Sequence, residues 1–162
     1  MSTDPTLATT GRRAWAALID SLVVSVFVLI VFYDPLMALA QIAEGAVTPQ
    51  KQAEFLEAFR AFEYQILPYM FALYVIYHAV LVWQWSGMTL GKYLMRIRVV
   101  QADTGAPVSF GTALVRALGR TVGEMFLMYA TFVPAFFASS RQTLHDRLAR
   151  TIVVAAPQER RR

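Results

Sequence analysis

The chain has 162 residues, of which 57% are hydrophobic and only 16% are charged. Soluble domains carry roughly 25% charged residues, so this composition, with a mean hydropathy of +0.45, excludes disordered, collagen-like and coiled-coil classes and predicts an integral membrane protein. The absence of cysteine excludes disulfide scaffolds, thiol catalysis and Cys-based metal sites. The net charge of +4 becomes informative only when the charges are placed along the chain.

The first apolar run extends over residues 14–33 and predicts a transmembrane helix. Its length matches a hydrocarbon core about 30 Å thick at about 1.5 Å per helical residue. Asp20 is its one formal charge, and Trp15 and Tyr33 lie at its two ends, where amphipathic rings prefer the headgroup level. A cleaved signal peptide is the alternative, which the length of the run and the carboxylate inside it disfavour.

The second apolar run, residues 66–85, predicts a second transmembrane helix. It has no formal charge but contains His78, and Trp83 and Trp85 lie near its far end. These tryptophans mark the membrane interface at the far end of the run, and Trp15 and Trp85 are expected at the same interface.

Residues 34–65 form a polar and acidic segment between the two runs. Phe55, Phe59 and Phe62 recur at helical spacing, which predicts an amphipathic helix on the membrane surface or packed on the spans. A binding role for these phenylalanines is the alternative interpretation.

Two short β-type stretches follow the second run, at residues 96–100 and 151–154. Isolated strands are only marginally stable, so we expect these two to pair with each other. Paired strands require that the loop at residues 86–109 and the tail at residues 141–162 lie on the same side of the membrane.

The region between the strands, residues 110–140, must therefore cross the membrane an even number of times, including zero. It is too short for two full spans. Its first half carries three charges at steps of four on one helical face: Arg116, Arg120 and Glu124. The pattern predicts an amphipathic interfacial helix and then a partly inserted segment around residues 126–137, broken at Pro134. A single third span is the alternative.

The fold class expected from these elements is an all-α integral membrane protein. It has two full transmembrane helices, an amphipathic or partly inserted C-terminal helical region, and a short cytoplasmic pair of strands. In this arrangement the outer segment holds two basic residues, Lys51 and Arg60. The other face holds thirteen: Arg12, Arg13, Lys92, Arg96, Arg98, Arg116, Arg120, Arg141, Arg147, Arg150, Arg160, Arg161 and Arg162. The positive-inside rule then predicts a multi-pass protein of the bacterial inner membrane with both termini in the cytoplasm.

Three stretches of the sequence resemble the RDD family of small bacterial membrane proteins. Residues 13–20 (RAWAALID) are similar to the start of its first helix, with an arginine and an aspartate. Residues 86–111 (SGMTLGKYLMRIRVVQADTGAPVSFG) and 141–154 (RQTLHDRLARTIVV) resemble its later signatures, and the resemblance implies that Asp146 is the second aspartate. It further implies a polytopic, transport-related protein, and one branch of the family is associated with sodium–proton exchange.

Asp20 is the residue most indicative of function, because a carboxylate near the centre of a span costs about 2.5–3.5 kcal/mol on insertion scales. Such a residue needs a partner. Arg13 lies two helical turns earlier, and depth counted from the tryptophans places His78 near the level of Asp20. We expect Arg13, Asp20, His78 and Asp146 to form a polar or ion site, either as an exchange site or as a lock between helices. Supporting charges are expected from Arg116, Arg120 and Glu124.

The functional expectation is small-ion or proton-coupled transport through the polar site centred on Asp20, with a small cation or proton as the ligand. The alternative is a non-catalytic accessory or assembly subunit of a larger membrane complex. No catalytic, metal-binding or cofactor-binding motif is recognisable, so we expect no enzyme activity and no cofactor. Two spans enclose no pore, which predicts a homo-oligomer or a larger membrane complex. Topology accounts for the basic residues, so no nucleic-acid partner is expected.

Overall fold

The computed structural model describes residues 6–127, 133–137 and 141–156. In these ranges the chain is predominantly helical, with seven helices and two strands. They are α1 (Thr10–Val31), α2 (Tyr33–Glu44), α3 (Pro49–Gln84), α4 (Leu90–Leu94), β1 (Ile97–Gln101), α5 (Phe110–Leu127), α6 (Pro134–Phe137), α7 (Leu144–Leu148) and β2 (Thr151–Ala155).

Two helices, α1 and α3, are long and apolar enough to cross a membrane. They cover nearly all of the two apolar runs of the sequence, so the prediction of a mainly helical chain with two such helices is confirmed. Many of their large apolar side chains are exposed in the isolated chain, Leu18 and Leu67 among them. Apolar side chains in a lipid-facing helix need no protein cover, because the hydrocarbon takes the place of a core.

Helix α3 is longer than the run that predicts it. It begins at Pro49 and continues through the segment expected to form a separate amphipathic helix. Pro49 suits a first helical turn, and the Thr48 side chain accepts a hydrogen bond from the backbone N–H of Lys51 (3.4 Å). No glycine interrupts residues 50–84, and Pro68 lies inside the helix, where it removes one backbone hydrogen bond without ending it.

The chain divides into two compact units. One unit comprises residues 22–73, which are the end of α1, all of α2 and the first part of α3. In this unit the rings of Phe32 and Tyr69 contact each other at 5.8 Å between centroids, and α2 has no buried residue.

The other unit comprises residues up to Ser21 and from Tyr74 onward. Its strands β1 and β2 pair antiparallel, with Val99 opposite Val153. The N-terminal segment extends this pairing, because Ala8 donates to the carbonyl of Val153 and Ala155 donates to that of Thr6, both at 2.9 Å. The buried side chains of the sheet join a small core with residues of the helices: Ala8, Ala16, Val82, Ile97, Val99, Val108, Ala113 and Val153.

Helix α5 occupies the first half of the region expected to be interfacial, and it ends at Leu127. The partly inserted segment expected around residues 126–137 lies partly outside the described residues. Within it, the short helix α6 begins at Pro134, where proline fits a first helical position.

Candidate functional site

Asp20 lies on α1 and is completely buried. Its Oδ1 accepts hydrogen bonds from the Tyr77 hydroxyl at 2.9 Å and from the backbone N–H of Gly91 at 2.8 Å. Its Oδ2 accepts a bond from the Thr89 hydroxyl at 2.6 Å. Hydrogen bonds to a carboxylate are about twice as strong as neutral ones. The carboxylate therefore fixes α1 to α3 and to the start of α4.

Gly91 makes the backbone bond to Asp20 possible. A Cβ at this position would collide with the carbonyl of Ala16 and would lie 2.9 Å from Asp20 Oδ1. Only glycine lets α4 approach α1 this closely. Thr89 is the N-cap of α4, and its hydroxyl also accepts from the backbone N–H of Lys92 at 3.4 Å.

Lys92 is the charged neighbour of Asp20. Its Nζ lies 3.6 Å from Asp20 Oδ2 and donates to Thr89 Oγ1 at 3.1 Å. Burial lowers the pKa of Lys92 to about 7, against the opposing attraction of Asp20, and repulsion from Arg120 and Arg116 contributes. The amine therefore changes its charge near neutral pH.

Asp146 is the second buried carboxylate, and it lies between two arginines. Arg13 of α1 pairs with Oδ2, and the guanidinium of Arg116 of α5 lies 2.5 Å from Oδ1. Burial alone would raise the pKa of the Asp146 carboxyl, but Arg116 and Arg13 hold that pKa well below its usual range. Asp146 thus remains ionised, and it joins α1, α5 and α7.

The local sequence places Asp146 at the start of α7. Thr143 is the N-cap, and its backbone N–H donates to Asp146 Oδ2 at 3.0 Å, which completes a capping box. Arg13 also donates to the carbonyl of Arg141, and Arg116 donates to the Thr151 hydroxyl at 3.2 Å. These bonds hold β2 and the segment before α7 against the same two arginines.

The structure brings Arg13 and Asp146 together, whereas Asp20 belongs to a neighbouring cluster. The partners that the described residues provide for Asp20 are Tyr77, Thr89, Gly91 and Lys92, and His78 is not among them. His78 packs its ring edge-on to Tyr77 at 5.0 Å between centroids. Arg13 and Asp20 lie on the same helix but do not form an ion pair. The guanidinium of Arg13 pairs with Asp146 instead. Arg120 pairs with Glu124 at 2.8 Å, as their spacing predicts.

The four partners of Asp20 are not among the residues that the sequence predicts for it. Tyr77 could have been predicted, because the count of residues from the tryptophans that selects His78 selects its neighbour equally well. The order Thr89, Leu90, Gly91, Lys92 also contains a signal, namely an N-cap residue followed by a glycine inside the first helical turn. Lys92 was counted only for membrane topology, because nothing near it in the sequence shows that it lines a cleft with Arg116 and Arg120 of α5.

The site has no recognisable metal-binding set. In residues 6–127, 133–137 and 141–156, no three His, Asp or Glu side chains lie close enough to hold a metal ion. Both aspartates have their oxygens directed at cations and N–H or O–H donors from the protein. The arrangement can hold helices together, retain charge in a low-dielectric environment and exchange a proton at Lys92.

The fold and the site together define a membrane protein whose helices are held by two buried, ion-paired aspartates. The chain belongs to the RDD family, which it matches over residues 7–150. The arginine and the two aspartates expected from the resemblance are Arg13, Asp20 and Asp146, and all three are buried.

Several curated proteins are similar to this chain. It is 30% identical over 82 residues to the proline-rich antigen homolog of Mycobacterium tuberculosis, which covers 47% of this chain and 34% of that protein. It is 32% identical over 80 residues to the proline-rich antigen of Mycobacterium leprae, with 46% and 32% coverage. It is 36% identical over 76 residues to an uncharacterized protein of Rickettsia prowazekii, with 44% and 39% coverage. The chain thus spans about a third of the length of the curated relatives that it matches. No solved structure matches it.

Proposed function

We propose that the chain is a transport subunit of the bacterial inner membrane that couples the movement of a small ion to a proton at the Asp20–Lys92 pair. The observation that carries this proposal is a buried amine beside a buried carboxylate, with Nζ 3.6 Å from Oδ2. We assign the proton exchange to the amine of this pair, Lys92, whose pKa is lowered to about 7.

Burial gives Lys92 the property that such a role needs. Its side chain is 9% exposed, and its pKa of about 7 allows both protonation states at cellular pH. When Lys92 is protonated, Asp20 neutralises it. When it is neutral, Asp20 remains held by Tyr77, Thr89 and Gly91.

We propose that the proton and the ion enter the site from the cytoplasm. The N-terminal segment, β1 and β2 form one hydrogen-bonded sheet, so they lie on the same side of any membrane that α1 and α3 cross. Most basic residues belong to that side, which the positive-inside rule identifies as the cytoplasm. Because two spans enclose no pore, the transporting form of the proposal is a homo-oligomer.

Proton flux in proteoliposomes tests the proposal. The purified chain is reconstituted with a pH-sensitive dye inside the vesicles, and gradients of sodium, potassium or chloride are applied. We expect one gradient to drive proton movement, and Lys92→Met to abolish it in protein that still elutes as a single species. Lys51→Met is the matched control, because Lys51 is exposed on another part of the chain. Absence of flux in the wild type, or equal flux in both variants, contradicts transport by this chain.

An accessory or assembly subunit is the second candidate, and the engagement of both aspartates by partners within the protein favours it. Each carboxylate is completely buried and joins three elements of the fold. Buried ion pairs of this kind serve equally well to fix the arrangement of helices. Co-purification in mild detergent separates the candidates: a stoichiometric larger complex, with no proton flux from the isolated chain, supports the accessory role.

A further inference from the structure

Three cations form the shared wall of two neighbouring clefts. Lys92 of α4 and Arg116 and Arg120 of α5 line both. Arg13 and His145 complete the first cleft, and His78 completes the second together with small side chains of α5. The clefts lie within one unit of the fold, so their walls are held by the same ion pairs that fix the helices.

Positive charge exceeds negative charge around these clefts. Four cations are at least nine-tenths buried: Arg13, Lys92, Arg116 and Arg120. Only two carboxylates among the described residues are buried to the same degree, Asp20 and Asp146. Glu124, which pairs with Arg120 and is 26% exposed, is a third carboxylate, so four cations face three carboxylates and one positive charge is in excess when Lys92 is protonated. Uncompensated charge is costly in a low-dielectric environment, so the excess favours the binding of an anion.

His78 adds a polar atom to the second cleft. The residue is 4% exposed, and its Nε2 has no hydrogen-bond partner among the described residues. A buried ring nitrogen without a partner is unfavourable, because it has lost its hydrogen bond to water and has gained none in the protein. An imidazole protonated at Nε2 is a hydrogen-bond donor, and beside three cations it suits an acceptor that carries negative charge.

The size of the clefts selects the anion. The first cleft has free space for one or two water molecules and the second for about one at most, which is too little for a tetrahedral oxyanion unless the arginines move. A monatomic halide is larger than water but much smaller than a tetrahedral oxyanion, and it accepts N–H bonds from any direction. Lys92, Arg120 and His78 all line the second cleft, and the ion pairs of Asp146 are made by Arg13 and Arg116, so an anion held by the first three would leave those pairs in place.

We propose that Lys92, Arg116, Arg120 and His78 form a binding site for a small halide-type anion, chloride being the abundant example. Binding of the anion does not require that the chain is a transporter. That this anion is the ion moved together with the proton rests on the proposed function. Protonation of Lys92 adds a positive charge to the wall, so proton and anion favour each other's binding, as reciprocal linkage requires. The charged and titratable groups that face Lys92 are Arg13 and Asp20 on α1, His78 on α3, Arg116 and Arg120 on α5, and His145 and Asp146 on α7.

Equilibrium binding of radiolabelled chloride to the detergent-purified chain tests the site. The buffer contains gluconate as the only other anion, which keeps ionic strength constant. We expect saturable binding that Arg120→Gln weakens about tenfold or more, because a unit charge is lost close to the ion. Glu124→Gln is the matched variant on the same helix. It removes the opposing charge instead, so affinity should be retained or increased.

Two further measurements make the outcome decisive. Affinity should rise as pH falls from 8 to 6, by at most about tenfold per pH unit for one linked proton, and this dependence should be lost in Lys92→Met. Inorganic phosphate should compete poorly with chloride. Binding that is absent, or equal in Arg120→Gln and the wild type, overturns the proposal, as does stronger competition by phosphate. Chloride binding without proton flux overturns the transport function alone, and proton flux without chloride binding overturns the anion site alone.

Discussion

Asp146 shows how one buried carboxylate can organise several distant parts of a chain. It pairs with Arg13 and with Arg116, and it also accepts from the backbone of its own N-cap, Thr143. Removing one partner from a buried ion pair costs about 3–5 kcal/mol, because the remaining charges lose their compensation. The ion pairs of Asp146 therefore contribute strongly to the stability of the fold, although they involve only three side chains.

We predict that Asp146→Asn destabilises the protein by about 3–5 kcal/mol, since it leaves Arg13 and Arg116 buried without a counter-charge. The measurement is the thermal unfolding midpoint in detergent, with the yield of monodisperse protein. Asp103→Asn is the control. Asp103 is exposed in the turn after β1, so its change should stay within about 0.5 kcal/mol. Equal midpoints for the two variants would contradict a structural role for Asp146.

The lowered pKa of Lys92 predicts that the free energy of unfolding depends on pH. Its pKa is lowered to about 7 in the folded protein, so between pH 7 and pH 10 the unfolded chain holds a proton that the folded chain has lost. Stability therefore rises with pH in this window, by at most about 1.4 kcal/mol per pH unit. Below pH 7 both states are protonated and the contribution is constant.

Unfolding of the wild type and of Lys92→Met across pH 6–10, in chloride-free buffer, checks this prediction. The difference in stability should change between pH 7 and pH 10, with the wild type gaining relative to the variant. Lys51→Met should follow the wild type throughout, because Lys51 is exposed. Parallel curves for the wild type and Lys92→Met would exclude a buried, weakly basic Lys92.

At the scale of elements, the short helix α4 depends on its close approach to α1. A side chain at Gly91 would collide with the backbone of Ala16 and disturb the bond to Asp20. We predict that Gly91→Ala lowers the unfolding midpoint, although alanine is otherwise the better helix former by about 1 kcal/mol. Gly111→Ala is the matched control in the first turn of α5.

The Gly111→Ala control should not lower the unfolding midpoint. A Cβ at Gly111 would meet only the Ser109 hydroxyl, at 3.9 Å, so Gly111→Ala should leave the midpoint unchanged or raise it. Thermal unfolding of the two variants beside the wild type compares them directly. A stable Gly91→Ala protein would show that α4 can move away from α1 without cost.

Helix α3 illustrates which element boundaries the sequence can predict. Its start at Pro49 follows the local signal of Thr48 and a first-turn proline, which sequence analysis can recognise. The division into a separate outer helix and a span beginning near Ile66 was wrong, because a change in hydrophobicity does not end a helix. Hydrogen bonds between neighbouring turns continue where the side chains change from polar to apolar.

At the scale of the whole molecule, the three extended segments constrain the membrane topology. The N-terminal segment, β1 and β2 are hydrogen-bonded to one another, so they cannot lie on opposite sides of a membrane. We predict that both termini are cytoplasmic. Fluorescent-protein fusions should be fluorescent at either end, and alkaline phosphatase fusions should be inactive there.

A phosphatase fusion near Lys51 provides the positive control, because the segment between the spans is expected outside. An active phosphatase at the C-terminus would contradict the common side for the strands and would favour a third span within residues 110–140. The result is independent of the transport proposal, since it depends on the sheet alone.

The sequence by itself determined the class of protein, the two apolar helices and the need of Asp20 for partners, because hydrophobicity and helical spacing are local properties. The identity of those partners was decided only by the tertiary structure. Arg13 and Asp146 are 133 positions apart, and Asp20 and Gly91 are 71 positions apart. Hydrogen bonds and ion pairs form only within a narrow range of distances and angles. They therefore depend on how distant helices pack, which the order of residues along one helix does not specify.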